Sequence, residues 1–142
     1  MRVGAIILAA LALTACGGHE SRSPESVARS WSADLDRNDN EAAAWLFADG
    51  ARVIQGGELV LGDHAAAVQW NASLPCGGRI LSVTPRGKTD VLVVFRLGGR
   101  PGHRCDGPGA DAAALFRVRD GRIVLWHQTT VPPAGGDGGT IV

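Results

Sequence analysis

Ala113–Val131 reads AALFRVRDGRIVLWHQTTV, and this stretch decides the fold. Leu115–Arg119 is a short alternation of apolar and basic residues. Asp120-Gly121 is a two-residue turn signal, because a type I′ turn needs positive φ and Gly adopts it without a Cβ clash. Arg122–Val131 is the return strand, rich in β-branched and aromatic residues.

The segments before the hairpin extend the same sheet. Lys88–Leu97, KTDVLVVFRL, is a near-continuous apolar run, the pattern of a strand inside a sheet and covered on both faces. Gly78–Pro85 precedes it as another strand, and Arg86-Gly87 turns the chain between the two. Gly98–Gly109 is a glycine-rich loop leading to the hairpin. Pro132-Pro133 ends the last strand, and 134–142 (AGGDGGTIV) has the composition of a disordered tail.

The first half of the chain has helical signals. Ser23-Pro24-Glu25 combines an N-cap, a Pro at the first helical position and an acid in the first turn. Val27, Trp31 and Leu35 then recur every four residues as one apolar stripe. Asn38-Asp39-Asn40 breaks this helix and caps the next, Glu41–Phe47, whose candidates for burial are Ala44, Trp45 and Phe47. Ala51–Gln55 and Glu58–Leu61 flank Gly56-Gly57 as a short hairpin. Asp63 caps a third helix, His64–Leu74, with Ala66, Ala67, Trp70 and Leu74 on its apolar side. The order is helix, helix, hairpin, helix and four antiparallel strands. That is an α+β layout, one antiparallel sheet with helices on one face.

The chain has 142 residues, enough for one domain with a core, placed here at 24–133. Fourteen Lys and Arg balance fourteen Asp and Glu, interspersed without a basic patch, so no nucleic-acid partner is expected. Tyr is absent, which removes one common acid/base and oxyanion donor.

At the N-terminus, Arg2 precedes the apolar run Val3–Leu13, which is of signal-peptide length and too short to span a bilayer. Leu13-Thr14-Ala15-Cys16-Gly17 resembles the bacterial lipobox. The resemblance implies that 1–15 is a signal peptide, that Cys16 is lipidated, and that 16–23 tethers the domain to the extracytoplasmic side of a bacterial membrane. A plain secretory peptide cleaved near Ala15 is the alternative. Cys76 and Cys105 then remain. In an exported compartment an even remainder reads as one disulfide, with two free thiols as the alternative. If the strands flanking Arg86-Gly87 form a hairpin, both cysteines fall at the same edge of the sheet. His103-x-Cys105-Asp106 is too compressed for a metal site, so neither metal nor cofactor is expected.

The element order, Asn38-Asp39 through Phe47-Ala48-Asp49, Gly62-Asp63-His64-Ala65-Ala66, and Phe116 with Asp120-Gly121-Arg122-Ile123 together resemble the nuclear transport factor 2-like superfamily, which includes SnoaL-like proteins. The resemblance covers about 24–133 and implies a cone-shaped α+β fold, a curved antiparallel sheet with helices packed on its concave face, which together enclose a pocket. Phe116–Trp126 and Lys88–Leu92 are similar to segments of limonene-1,2-epoxide hydrolases. By that likeness Asp90 stands where an acid protonates the epoxide, Lys88 where an Arg bridges two carboxylates, and Gln128 where an Asp activates water. Val53 and Gln55 replace a Tyr and an Asn. Gln cannot take a proton from water, and Lys lacks the bidentate geometry of Arg, so this hydrolysis is not expected. Ketosteroid isomerases are also similar in layout, but they use an Asp base and a Tyr where this chain has Gln55 and no Tyr.

Asp90, with Lys88 and Gln128 as helpers, is therefore the candidate catalytic group. Val53, Gln55, Leu92, Val94 and Trp126 are the candidate pocket lining. His127 has the opposite parity to Trp126 and Gln128 and is expected on the convex face. Asn71-Ala72-Ser73 has the form of a glycosylation acceptor but lies in a helix and carries no weight. The expected function is a lipid-anchored binder of a small apolar ligand or a protein partner. The alternatives are a lyase, isomerase or hydrolase using Asp90, and a structural envelope dimer formed through the convex sheet face.

Overall fold

The computed structural model describes residues 21–133; Cys16, the signal segment, most of the tether and the tail lie outside the described residues. Three helices, α1 (Pro24–Asp36), α2 (Asn40–Trp45) and α3 (His64–Ser73), accompany six strands. These are β1 (Phe47–Ile54), β2 (Glu58–Leu61), β3 (Gly77–Arg86), β4 (Asp90–Gly98), β5 (Asp111–Arg119) and β6 (Arg122–Thr129). The strands form one sheet in the order β2-β1-β6-β5-β4-β3. Every pairing is antiparallel except β1 with β6, which is parallel. No described helix is long and apolar enough to cross a membrane.

The caps follow from the sequence. Ser23 Oγ accepts from Ser26 N at 3.2 Å, Asp39 Oδ1 from Ala42 N at 3.0 Å, and Asp63 Oδ1 from Ala66 N at 2.8 Å, so each helix starts on a side chain that satisfies an orphan N–H. Asp120 and Gly121 both have positive φ, 51° and 74°, as a type I′ turn requires.

The concave face buries Val91, Val93 and Phe95 of β4, Ala114, Phe116 and Val118 of β5, and Ile123 and Trp126 of β6 against the helices. Trp31 of α1 sits at the centre of this layer. Its ring lies 5.3 Å from Phe116, 5.9 Å from Trp126, 6.2 Å from Phe95 and 6.3 Å from Trp70, all within the range of favourable aromatic pairs. Its indole N–H donates to Asn71 Oδ1 at 2.8 Å, and the Asn71 amide donates to Ala67 O, so a buried polar pair fixes α3 against α1. The residue that resembled a glycosylation acceptor is therefore a core residue.

The expected second helix is corrected at its end. Phe47 is buried as anticipated but begins β1, and Ile123 N donates to Leu46 O at 2.7 Å. Pairing with β6 overrides the local helical preference, and Gly50, with φ of 80°, lies where the β1–β6 register shifts between Phe47 and Arg52. Trp45 is not a core residue: it is 59% exposed.

Candidate functional site

At the end of the cone where β1, β4 and β6 finish and β3 and β5 begin, the helices and sheet do not close completely. A cavity of about 230 Å³ remains, walled by Trp31, Leu35, Leu74, Phe95, Leu97 and Trp126, with Ala112–Ala114 of β5 along its floor. That is about one and a half times the ~150 Å³ apolar cavity known to hold benzene. The polar groups are few: Ser32, Gln55, Gln128 and Asp106. Gln55 and Gln128 are exposed at the mouth. They lie side by side because β1 and β6 run parallel with Val53 beside Trp126 and Ile54 beside His127. Trp126 Nε1 is buried and has no acceptor among the described residues.

The rim is cross-linked. Cys76 and Cys105 form a disulfide with Cα atoms 4.5 Å apart, as their placement at one edge of the β3–β4 hairpin requires. Asp106 Oδ1 lies 3.4 Å from Cys76 Sγ. This is a contact and no hydrogen bond, because a disulfide sulfur carries no proton. Cys76, Cys105 and Asp106 are close enough together to suggest a metal site. With both sulfurs in the disulfide they supply no thiolate ligand.

Arg100 closes the same end from the side of the helices. It is 4% exposed, and its guanidinium donates to Asn71 O (2.8 Å), Leu74 O (3.0 Å), Asn38 Oδ1 (2.7 Å) and Asn40 Oδ1 (2.6 Å). Burial pushes its pKa below the usual guanidinium value, with the Asp36 carboxylate acting in the opposite sense. Asp36 in turn accepts from Gly78 N at 2.8 Å. Arg100 thus ties the β4–β5 connection to the end of α3 and to the α1–α2 junction. Sequence reasoning missed it: an Arg in a glycine-rich loop reads as solvated, and its four acceptors come from distant segments.

The sequence-predicted site residues divide. Gln55, Trp126 and Gln128 line the cavity, and Val53 is buried in the adjoining core. Leu92 and Val94 do not line it. Val91 pairs with Phe116 and Val93 with Ala114, so the concave parity of β4 is that of Val91, Val93 and Phe95, and Leu92 and Val94 point the other way. A shift of one residue reverses every side chain on a strand.

Asp90 shares that outer parity and lies at the opposite end of the sheet from the cavity mouth. Arg117 donates to both of its carboxylate oxygens at 2.9 Å, and Thr89 Oγ1 donates at 2.8 Å. The Arg117 hydrogen bonds hold the Asp90 carboxyl below the usual Asp range. Lys88 belongs to the turn between β3 and β4, not to β4, so it does not share a face with Asp90. Asp90, Lys88 and Gln128 are thus not assembled into one site. Two further bidentate pairs, Arg52 with Glu58 and Arg96 with Asp111, complete a set on the outer face. His127 also has the outer parity, pairing with Leu115.

Neither protein-family profiles nor curated proteins give a match to this chain. Solved structures do. An NTF2-like protein of unknown function from Cytophaga hutchinsonii superposes with a TM-score of 0.63 at 12% identity, covering 79% of this chain and 93% of that one. A candidate polyketide cyclase from Sinorhizobium meliloti gives 0.61 at 21% identity, covering 72% and 93%. A protein of ketosteroid isomerase-like fold from Catenulispora acidiphila, in complex with trimethylamine, gives 0.60 at 20% identity, covering 77% and 87%. The likeness is one of fold: the chain has the α+β cone of these NTF2-like and ketosteroid isomerase-like structures.

Proposed function

We propose, on the premise of that fold, that the chain is a non-catalytic binding module for a small apolar ligand, held at a bacterial envelope through a lipidated Cys16. The cavity carries this reading. Its walls are Trp, Phe and Leu, and among the described residues its only ionisable group is Asp106, which sits exposed at the rim. General acid/base chemistry needs a proton donor or acceptor positioned against the substrate, and the cavity wall offers none. The carboxylate favoured from sequence, Asp90, is committed to Arg117 outside it. The ligand class follows from the lining: an apolar body of modest size that displaces poorly held water, with any polar atom directed to Gln55 and Gln128 at the mouth. One structural neighbour holds a molecule as small as trimethylamine, which is consistent with a compact occupant.

Native mass spectrometry of the purified protein, followed by organic extraction, tests this directly. A small non-covalent adduct is expected, and it should be lost when Ala114, buried on the cavity wall, is enlarged to Leu. A folded protein that carries no adduct and whose tryptophan emission is unmoved by a panel of small apolar ketones, alcohols and terpenes would overturn the proposal.

A further inference from the structure

The end of the molecule opposite the cavity mouth has a chemistry of its own. Three segments meet there: the residues entering α1, the β3–β4 turn and the β5–β6 turn. Val118 N donates to Thr89 O at 2.8 Å, and Gly121 lies against the Arg22 backbone. Around one shallow depression stand Arg22, Lys88 and Arg119; around its neighbour stand Arg22, Arg122 and Trp45. Arg86 closes the β3 side of the turn. None of these five cations has a carboxylate within 4 Å among the described residues. The acids nearby are Asp34 and Asp90, each already bound to its own Arg, Asp120, and Glu41, which is held by His64. Cations that looked evenly interspersed in the sequence are gathered at one end by the fold.

Trp45 belongs to the same surface. It is the most exposed large apolar side chain among the described residues, and its ring stacks on His64 with centroids 3.8 Å apart. His64 is fixed in turn by Glu41, 2.7 Å from its Nε2. A rigidly held, exposed indole beside a ring of unpaired cations matches the layered chemistry of a bilayer surface, with phosphates outside and an amphipathic headgroup layer beneath.

We propose that this end docks on a bilayer surface carrying anionic phospholipid, with Trp45 entering the headgroup layer and Arg22, Lys88, Arg119 and Arg122 meeting the phosphates. The placement rests on the lipoprotein reading for one of its supports. Ser21 follows Cys16 by five peptide steps, a reach of at most about 18 Å, and Ser21 lines this same surface. β6 runs eight residues, about 26 Å, from this end to the cavity mouth, so docking points the mouth away from the bilayer and towards the aqueous compartment.

The test uses the full chain, purified from membranes and reconstituted into vesicles whose lipids carry brominated acyl chains, a contact quencher of tryptophan. Trp31, Trp70 and Trp126 are buried, so the quenchable emission belongs to Trp45. Vesicles containing phosphatidylglycerol should quench it. Pure phosphatidylcholine should quench severalfold less, as should high salt. Trp45→Phe should abolish the signal, and the double variant Lys88→Gln with Arg119→Gln should weaken it severalfold. Equal quenching in both lipids, or a chain that binds a soluble polyanion while Trp45 stays unquenched, would overturn the proposal. Flotation with phosphatidylcholine vesicles and the mass of the N-terminal peptide report the anchor separately. A chain that floats without lipid-dependent quenching keeps the anchor and loses the docking face. A chain that is not lipidated but is drawn to phosphatidylglycerol through the same residues keeps the face and loses the anchor.

Discussion

At the cavity end, residues 99–110 join β4 to β5 as a long irregular connection; at the other end, β5 turns into β6 through Asp120-Gly121 alone. The two joints are stabilised differently. The short turn needs only two residues that tolerate positive φ. The long connection makes two turn hydrogen bonds of its own, His103 N to Arg100 O and Ala110 N to Gly107 O, and pairs its last residues with Leu97; its middle is fixed from outside, by Arg100 to the helices and by Cys105 to the start of β3. The open cavity depends on that fastening, because its rim is made from the fastened segments.

The largest test of this contrast is Arg100→Met. It removes four hydrogen bonds from a buried cation and leaves the carbonyls of Asn71 and Leu74 without that donor. Charged hydrogen bonds of this kind are worth roughly 1.5–3 kcal/mol each, partly offset by release of the cation's desolvation penalty, so the loss should be on the order of 4 kcal/mol. Thermal unfolding should fall by about 10–15 °C, since each kcal/mol shifts a domain of this size by roughly 3–4 °C. A change of only a degree or two would show that the connection holds itself.

Next comes the disulfide. Replacing both cysteines by Ser opens a covalent loop between residues 29 apart in sequence. Loop entropy puts the cost at roughly 3–4 kcal/mol, read from denaturant midpoints of the oxidised protein and the double variant. Hydrogen exchange should sharpen the contrast: amides of β3 near Gly77 and of 99–110 should lose protection first, while those beside Asp120-Gly121 follow global unfolding.

At the turn end, Gly121→Ala should cost only about 1 kcal/mol. It places an Ala in the left-handed region, and its Cβ would stand 3.3 Å from Arg22 N. The same substitution should leave ligand occupancy of the distant cavity unchanged. Loss of occupancy would mean that the two ends are coupled through the sheet.

This difference between the ends also explains what could be read without a structure. The β5–β6 hairpin, the three N-caps and the stripe Val27-Trp31-Leu35 are local patterns, in which a few neighbouring residues determine their own geometry. The disulfide was legible because hairpin topology brings two sequence-marked residues to one edge. Arg100 was not, since its partners come from α3 and the α1–α2 junction and nothing near it in sequence marks it as buried. Trp45 and Phe47 show the same limit: one was expected inside and is outside, and the other changed from helix to strand on pairing with β6. On β4 the apolar run is continuous, so alternation could not set the parity, and the face carrying Asp90 was assigned to the pocket by likeness alone. Pairing with Phe116 and Ala114 decides otherwise. Of the expected site residues, Gln55 and Trp126 of the lining and the helper Gln128 meet at the cavity because their strands run side by side.

Asp90 gives the smallest effect, and it separates a structural carboxylate from a catalytic one. Hydrogen bonding to Arg117 lowers its pKa in the folded state, against about 3.9 for an unperturbed Asp. A lowered folded value means that the pair stabilises the protein fully above the unfolded pKa. The contribution is then lost as pH falls through the folded value, in the region below about pH 4. The Arg117 side chain is 39% exposed, so solvent screening limits the pair to about 0.5 kcal/mol at neutral pH. Asp90→Asn should therefore unfold at slightly lower urea than the wild type at pH 7, and the two curves should converge on acidification. A constant gap at every pH would assign the effect to packing around Asp90 instead of its charge. In either case the adduct carried in the cavity should persist in Asp90→Asn, because the carboxylate lies on the outer face at the far end of β4. Loss of the adduct in a folded variant would reopen a functional role for Asp90.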